Sequence, residues 1–396
     1  MSRVRTGLEC LLEDDALLAR LRSSRVGLLV NPTAVTSNLV HAIDALQARG
    51  VTIDILFGPE HGVRAEAQDM EAVEAELDPI SGIRAVSLYG HTFASLEPAP
   101  ADVQHLDVVL ADIQDVGARY YTYCYTIGLM MKVCGQVDTE VWVLDRPNPI
   151  GGEVVEGNVV LPECVSFVGM QPLATRHGMT IGELATFFDM FCGWSCALTV
   201  VECQGWTRDL FFDDTRLPWV YPSPNMPTLT TATIYPGMCL LEGTQMSEGR
   251  GTTKPFEVFG APWVEPVAWY HAMVGFGLEG AAWRTTSFKP MFQKHAGQIC
   301  RGLQLHVTDR RALRSLEVAL CILSSCLRLF PDEFSWRAQA YEFVDDVAAI
   351  DLLLGDPAVR EALEAGEDPR EVSRHLETTP GRALFDERRR EVLRYA

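Results

Sequence analysis

The chain has 396 residues, 47% of them hydrophobic, with 53 acidic against 33 basic side chains and a formal charge of −20. That length is more than one core usually needs. The charge opposes bulk attraction to nucleic acid or an anionic membrane, because phosphate binding needs a basic face; an anionic small substrate stays open to it through local arginines.

No apolar run reaches the roughly 18 residues of a membrane span. Glu9, Glu13, Asp14 and Asp15 interrupt the amino terminus before a signal-peptide core can form, so a cytoplasmic location is expected. The 11 cysteines lack framework-like spacing and read as reduced structural thiols. The 9 histidines include no His-x-x-His or His-Glu-x-x-His pair, which points to a site without metal or cofactor.

After a short leading helix, a strand over 25–30 runs into Asn31-Pro32-Thr33. A helix over 39–47 follows, with Ser37 or Asn38 as its cap. Val51, Ile53, Ile55 and Phe57 then alternate as a strand, and Gly58-Pro59 stops the ladder and presents Glu60, His61 and Arg64. The acidic segment 65–78 is expected as an exposed helix or lid. Strands over 85–88, 106–112 and 141–144 lead into Tyr89-Gly90, into the run from Asp112 to Tyr121, and into Asp145-Arg146-Pro147-Asn148-Pro149. Residues 120–133 between the last two have helical spacing. Strands alternating with helices predict a mostly parallel sheet, and its polar loops then leave together at the carboxyl edge, where open α/β sheets bind ligands.

Farther on, Thr180 to Glu183 fits a capping box opening a helix to Phe191, and 198–203 reads as a strand. Prolines 222, 224 and 227 predict a rigid extended loop. The glycine-rich stretch 242–257 holds Glu242, Glu248, Glu257, Arg250 and Lys254. Near Gly260 the character changes. The remainder has a strand over 303–307, a long apolar helix over 313–329 and short helices after 345, 357 and 369. The predicted architecture is therefore a Rossmann-like α/β domain over 1–260 and a smaller α+β domain over 261–396 that closes the active-site cleft.

Gly275-Phe276-Gly277-Leu278-Glu279-Gly280 spells the dinucleotide fingerprint, but it follows a predicted helix over 267–274 instead of a strand, which argues against NAD. No P-loop ending and no Gly-x-Ser-x-Gly elbow is present. Glu60 reads either as a positioned acid or as a loop acid pairing with Arg64. Glu248 offers the same choice with Arg250. Tyr120, Tyr121, Tyr123 and Tyr125 read as core aromatics or as a platform for a sugar face.

Phe57-Gly58-Pro59-Glu60-His61-Gly62, the run from Asp112 to Tyr123, Asp145-Arg146-Pro147-Asn148-Pro149-Ile150-Gly151-Gly152, Pro222-Ser223-Pro224-Asn225-Met226-Pro227, and Glu242-Gly243-Thr244 with Ser247-Glu248-Gly249-Arg250-Gly251-Thr252 occur in that order. Together these motifs resemble those of the exo-β-N-acetylmuramidases, from about Gly27 to the carboxyl terminus. The resemblance implies removal of terminal N-acetylmuramic acid from the non-reducing end of peptidoglycan fragments, at a cleft between a Rossmann-like and an auxiliary domain. It makes Glu60 the leading catalytic candidate; Glu248 and Asp115 are the alternatives for the acid role. His61, Arg64, Arg119, Tyr120, Tyr123, Asp145, Arg146, Asn148, Asn225, Glu242, Arg250 and Thr252 become the candidate substrate contacts.

Two expectations follow from this chemistry. A general acid at Glu60 would gain from burial against Tyr89 or the tyrosine run, which raises a carboxyl pKa. The lactyl carboxylate of muramic acid would need a guanidinium fork, from Arg64, Arg119, Arg146 or Arg250. The partner is a muropeptide fragment, and the oligomeric state stays open, a homodimer included. A non-catalytic muropeptide-binding protein, or a carboxylate-dependent hydrolase of another bond, are the competing readings.

Overall fold

The computed structural model describes residues 3–64 and 76–396, so most of the segment expected as an exposed helix or lid, residues 65–75, lies outside the described residues. The first strands are β1 (Val26–Val30), β2 (Ile53–Gly58), β3 (Glu76–Leu77), β4 (Arg84–Ser87), β5 (Val108–Asp112) and β6 (Glu140–Leu144). A hairpin of β7 (Glu156–Val159) and β8 (Ala174–Arg176) precedes β9 (Leu198–Val201). The main sheet runs β3-β4-β2-β1-β5-β6-β9. Every pairing in it is parallel except β3 with β4. β1 and β5 are buried along their whole length, which is why they read as unbroken apolar runs and not as alternation.

From β1 the chain builds first toward β2 and β4, then returns to the other side of β1 for β5, β6 and β9. That reversal at β1 and β5 opens a crevice above the carboxyl ends of the strands, the place where such sheets hold ligands. The loops after β2 and β5 meet there.

Local sequence accounts for most helix starts. Thr180 and Glu183 form the expected capping box of the helix Ile181–Phe191. The helix Ala42–Ala48 departs from expectation: its cap is His41, whose Nδ1 accepts the Ile43 N–H at 3.3 Å, because the chain bridges back between Val35 and His41 before turning helical. The helix Tyr123–Gln136 begins three residues later than its spacing suggested. Tyr120, Tyr121 and Thr122 are thereby left in the loop that faces the crevice.

After the helix Leu229–Met238 and a 3₁₀ turn over Cys239–Gly243, three antiparallel strands form a second sheet in the order β10 (Val258–Ala261), β12 (Cys300–Val307), β11 (Ala281–Phe288). The helix Pro266–Gly275 packs on it and on the helix Ser315–Leu329, to which it is tied by Trp269 Nε1 donating to Ser325 Oγ at 2.8 Å. The Gly275 to Gly280 run ends a helix and feeds antiparallel β11, so no βαβ unit surrounds it.

One apolar cluster extends from Leu29 and Phe57 through Tyr123 and Leu184 to Leu241, Leu320, Leu353 and Phe385. The two sheets therefore share a core, each large side chain contributing roughly 1.5–3 kcal/mol by burial. The last helix, Pro380–Val392, returns to pack on Ile181–Phe191. Behind it Tyr395 Oη donates to Asp145 Oδ2 at 2.5 Å, and the Arg208 N–H donates to the Ala396 carbonyl at 2.9 Å. All eleven cysteines are free; burial pushes Cys134, Cys192, Cys196 and Cys321 up to about 12, which makes them inert at neutral pH. Among the described residues no helix is long and apolar enough to cross a membrane.

Candidate active site

The turn after β2 is built to bury an acid. A Cβ on Gly58 would stand 2.8 Å from the Val63 nitrogen, so only glycine lets the chain double back there. His61 (φ 73°) and Gly62 (φ 84°) complete the reversal, closed by the Gly62 N–H to the Pro59 carbonyl at 2.9 Å. Glu60 and His61 end up 7% exposed. Thr122 Oγ1 donates to Glu60 Oε2 at 2.9 Å, joining the β2 turn to the loop after β5. Tyr123 Oη donates to the Pro222 carbonyl at 2.6 Å and anchors the proline loop as a third wall.

Aromatic rings line one side. Tyr121 and Tyr123 meet edge to face at 4.8 Å, Tyr121 and Tyr235 at 5.8 Å, and Tyr235 and Phe256 at 5.0 Å. Tyr120 Oη bonds the Pro236 carbonyl. Tyr125 points the other way, packing on Phe188 in the core.

The far wall comes from the second half of the chain. Tyr341 Oη donates to Glu242 Oε2 at 2.8 Å, and Glu242 Oε1 receives Arg250 Nη2 at 2.7 Å. Arg250 Nε lies 3.5 Å from Glu248 Oε1, while Lys294 Nζ reaches Glu248 Oε2 at 2.8 Å and the carbonyls of Leu241 and Met246. The charges thus alternate along Lys294, Glu248, Arg250 and Glu242. Such a string can be buried only because each member meets an opposite charge. Arg250 also lies over the Phe256 ring, 5.2 Å from its centroid.

Around the cleft stand Glu60, His61, Tyr120, Tyr121, Thr122, Tyr123, Val168, Ser223, Asn225, Met226, Tyr235, Glu242, Arg250, Phe256, Tyr341 and Glu342. Of the residues picked from the sequence, the cleft gathers Glu60, His61, Tyr120, Tyr123, Asn225, Glu242 and Arg250. Glu248 stands directly behind Arg250.

The other picks lie outside this lining, each engaged elsewhere. Arg64 forks onto Asp78 at 2.8 Å through both Nε and Nη2, and holds that carboxyl well below the usual carboxylate range. Asp115 accepts the Gly117 N–H at 2.6 Å and faces His177 Nε2 at 3.2 Å. Arg119 is fully buried and donates to the carbonyls of Asn158, Leu173, Leu353 and Leu354. Asp145 accepts from Arg146, Gly182, Thr180 and Tyr395. Arg146 forks onto Asp112 at 2.5 and 3.1 Å. Asn148 bonds the Met179 carbonyl and the Ile150 N–H. Thr252 closes a local turn on the Gly249 carbonyl at 2.6 Å. These side chains hold the loops that carry the site.

Sequence reading missed Thr122, Tyr235, Tyr341, Glu342 and Lys294. The only signal at Glu342 is an acid set between two aromatics, Tyr341 and Phe343.

The family described as exo-β-N-acetylmuramidase NamZ matches in two parts, its N-terminal model over residues 26–230 and its C-terminal model over 233–395. The peptidoglycan β-N-acetylmuramidase NamZ of Bacillus subtilis is 40% identical over 378 residues, which cover 95% of this chain and 88% of that protein. Two crystal structures of DUF1343 family proteins from Bacteroides fragilis superpose over the whole chain and 99% of their own. One has a TM-score of 0.86 at 32% identity, the other 0.76 at 28%.

Proposed function

The chain belongs to the exo-β-N-acetylmuramidase family, and from that premise we propose that it is a glycosidase releasing terminal N-acetylmuramic acid from the non-reducing end of peptidoglycan fragments, with Glu60 as its general acid. The observation that carries this is Glu60 itself: a carboxyl 7% exposed, at the end of β2, fixed by Thr122 and facing an aromatic-lined cleft. Thr122 donates to Oε2 and so fixes the carboxyl that gives its proton to the departing oxygen. As the bond from the anomeric carbon breaks, its electron pair goes to that oxygen together with the Glu60 proton, and water completes the sugar. Tyr121, Tyr123 and Tyr235 offer ring surface to the pyranose.

Of the four arginines considered for the lactyl carboxylate, Arg250 is the one in the cleft lining. We assign it that recognition, with Glu242 and Glu248 setting the plane of its fork. The general acid is assigned to the α/β domain, and the smaller domain adds Tyr341 and Glu342 to the wall that closes the cleft. Eleven unpaired cysteines fit a reducing compartment, and thus the processing of imported wall fragments in the cytoplasm.

Incubation with a chromogenic β-N-acetylmuraminide and with its N-acetylglucosaminide analogue tests the reading. Turnover of the muraminide in preference is expected. Tight binding of both without turnover would instead make this a muropeptide-binding protein.

A further inference from the structure

Tyr341 and Val344 exchange backbone hydrogen bonds of 2.8 and 3.0 Å, closing a two-residue reversal whose central residues are Glu342 (φ 45°) and Phe343 (φ 69°). Positive φ at both central positions is the signature of a type I′ turn, in which Asn, Asp and Gly are preferred because side chains with a full Cβ strain there. Here the two positions are a glutamate and a phenylalanine. Backbone held this way persists only where its surroundings over-determine it, and such residues gather at functional sites.

The surroundings do fix it. Tyr341 Oη is anchored on Glu242, the near end of the buried charge string. The Phe343 ring sits among Tyr89, Phe93 and Phe167 at 5.8, 6.3 and 6.4 Å. Between these two anchors Glu342 turns inward, 4% exposed, into the cleft that Glu60 enters from the first sheet, with Tyr89 Oη donating to its Oε2 at 3.4 Å. A carboxylate is therefore delivered to the same cavity from each half of the chain.

We propose that Glu342 is the second catalytic carboxylate, a base that takes the proton from the attacking nucleophile while Glu60 gives one to the departing oxygen. This rests on the muramidase reading. The bond from the anomeric carbon to the aglycone breaks, its electron pair leaving on an oxygen that Glu60 protonates. A new bond forms to the nucleophile's oxygen, and the proton shed goes to Glu342, so the two carboxyls exchange protonation. The nucleophile is water or the sugar's own 2-acetamido group; both lose a proton, and both need a base on the face opposite the acid.

Glu342→Gly is the decisive variant, since glycine adopts φ 45° without strain and the turn should fold at least as stably as in the wild type. With an aryl muraminide and with a disaccharide muropeptide, kcat is expected to fall by about 10² to 10⁴ on both, with KM little changed. Nucleophile activation does not depend on the leaving group, so the two losses should match. Added azide, which needs no base, should restore part of the aryl rate, and NMR of the sugar anomer in the wild type distinguishes water (inversion) from the acetamide (retention). Wild-type kcat in Glu342→Gly, a defect confined to KM, or a loss that azide leaves untouched would each overturn the assignment. A wild-type protein inert on both sugars would overturn the muramidase reading as well, whereas an active wild type with a fully active Glu342→Gly overturns only this one.

Discussion

In the proposed mechanism Glu60 and Arg250 divide the chemistry of the cleft between a proton and a charge. Glu60→Gln keeps the size of the side chain and its hydrogen bond from Thr122, so fold and substrate affinity should be unchanged. On a natural disaccharide, whose leaving group needs protonation, kcat should drop on the order of 10² to 10⁴. An activated aryl leaving group should lose far less. Parallel kcat measurements on the two substrates check this, and equal losses would move the acid role away from Glu60. Arg250→Lys keeps a positive charge between Glu242 and Glu248 but removes the planar fork. The ratio of muraminide to glucosaminide turnover should then fall about tenfold or more, because one point charge cannot make two parallel bonds to a carboxylate. An unchanged ratio would exclude Arg250 as the lactyl-recognising group.

At the scale of elements, the junction of β6, the helix Ile181–Phe191 and the chain terminus turns on one buried carboxyl. Burial pushes Asp145 up to about 6 from its ordinary 3.8, although Tyr395, the Gly182 N–H and Thr180 all donate to it. The native state therefore holds this proton at pH values where the unfolded chain has released it. The stabilisation is complete below about 3.8 and is lost as pH rises through about 6. Its size is on the order of 3 kcal/mol, because each tenfold gain in proton affinity is worth about 1.4 kcal/mol. Asp145→Asn cannot titrate, so the stability difference between wild type and variant, from urea unfolding at intervals between about pH 4 and 7, should move against the wild type as pH rises. A difference independent of pH would show that Asp145 does not titrate in this window.

Across the whole molecule, the cleft has walls from both halves of the chain, and its shape depends on how firmly they are joined. The continuous core is one bond between them. Arg119 is another: its guanidinium, in the loop after β5, caps the carbonyls at the end of the helix Ala349–Leu354 as well as those of Asn158 and Leu173. A Cβ on Gly355 would lie 2.9 Å from Arg119 Nη2, so the cap fits closely. Arg119→Met should leave those buried carbonyls unpaired and cost on the order of 3 kcal/mol or more. Because the core is shared, near-UV circular dichroism and far-UV ellipticity should still lose their signals in one transition at a lower temperature. Two separated transitions would mean that the halves unfold independently.

Much of this was legible in the chain itself, because strands, caps and turns answer to near neighbours. The apolar run of β5, the Thr180 and Glu183 capping box and the Gly58-Pro59 stop each carry their own signal. The parallel order also followed from alternating elements, and with it the edge at which Glu60 emerges. What neighbours could not tell was which polar loop residue faces the ligand and which faces the scaffold. Arg119, Asp145, Arg146 and Asn148 sit in the same strand-end motifs as the cleft residues, yet their partners lie 31 to 250 positions away for the longest contacts of each. Glu342 is the opposite case: no local pattern marks it, and it reaches Glu60's cavity only because the second half folds back over the first. Sequence determines which elements form and in what order, since those depend on interactions a few residues long; the assignment of each polar side chain to catalysis or to structure depends on long-range contacts that exist only once the chain has closed on itself.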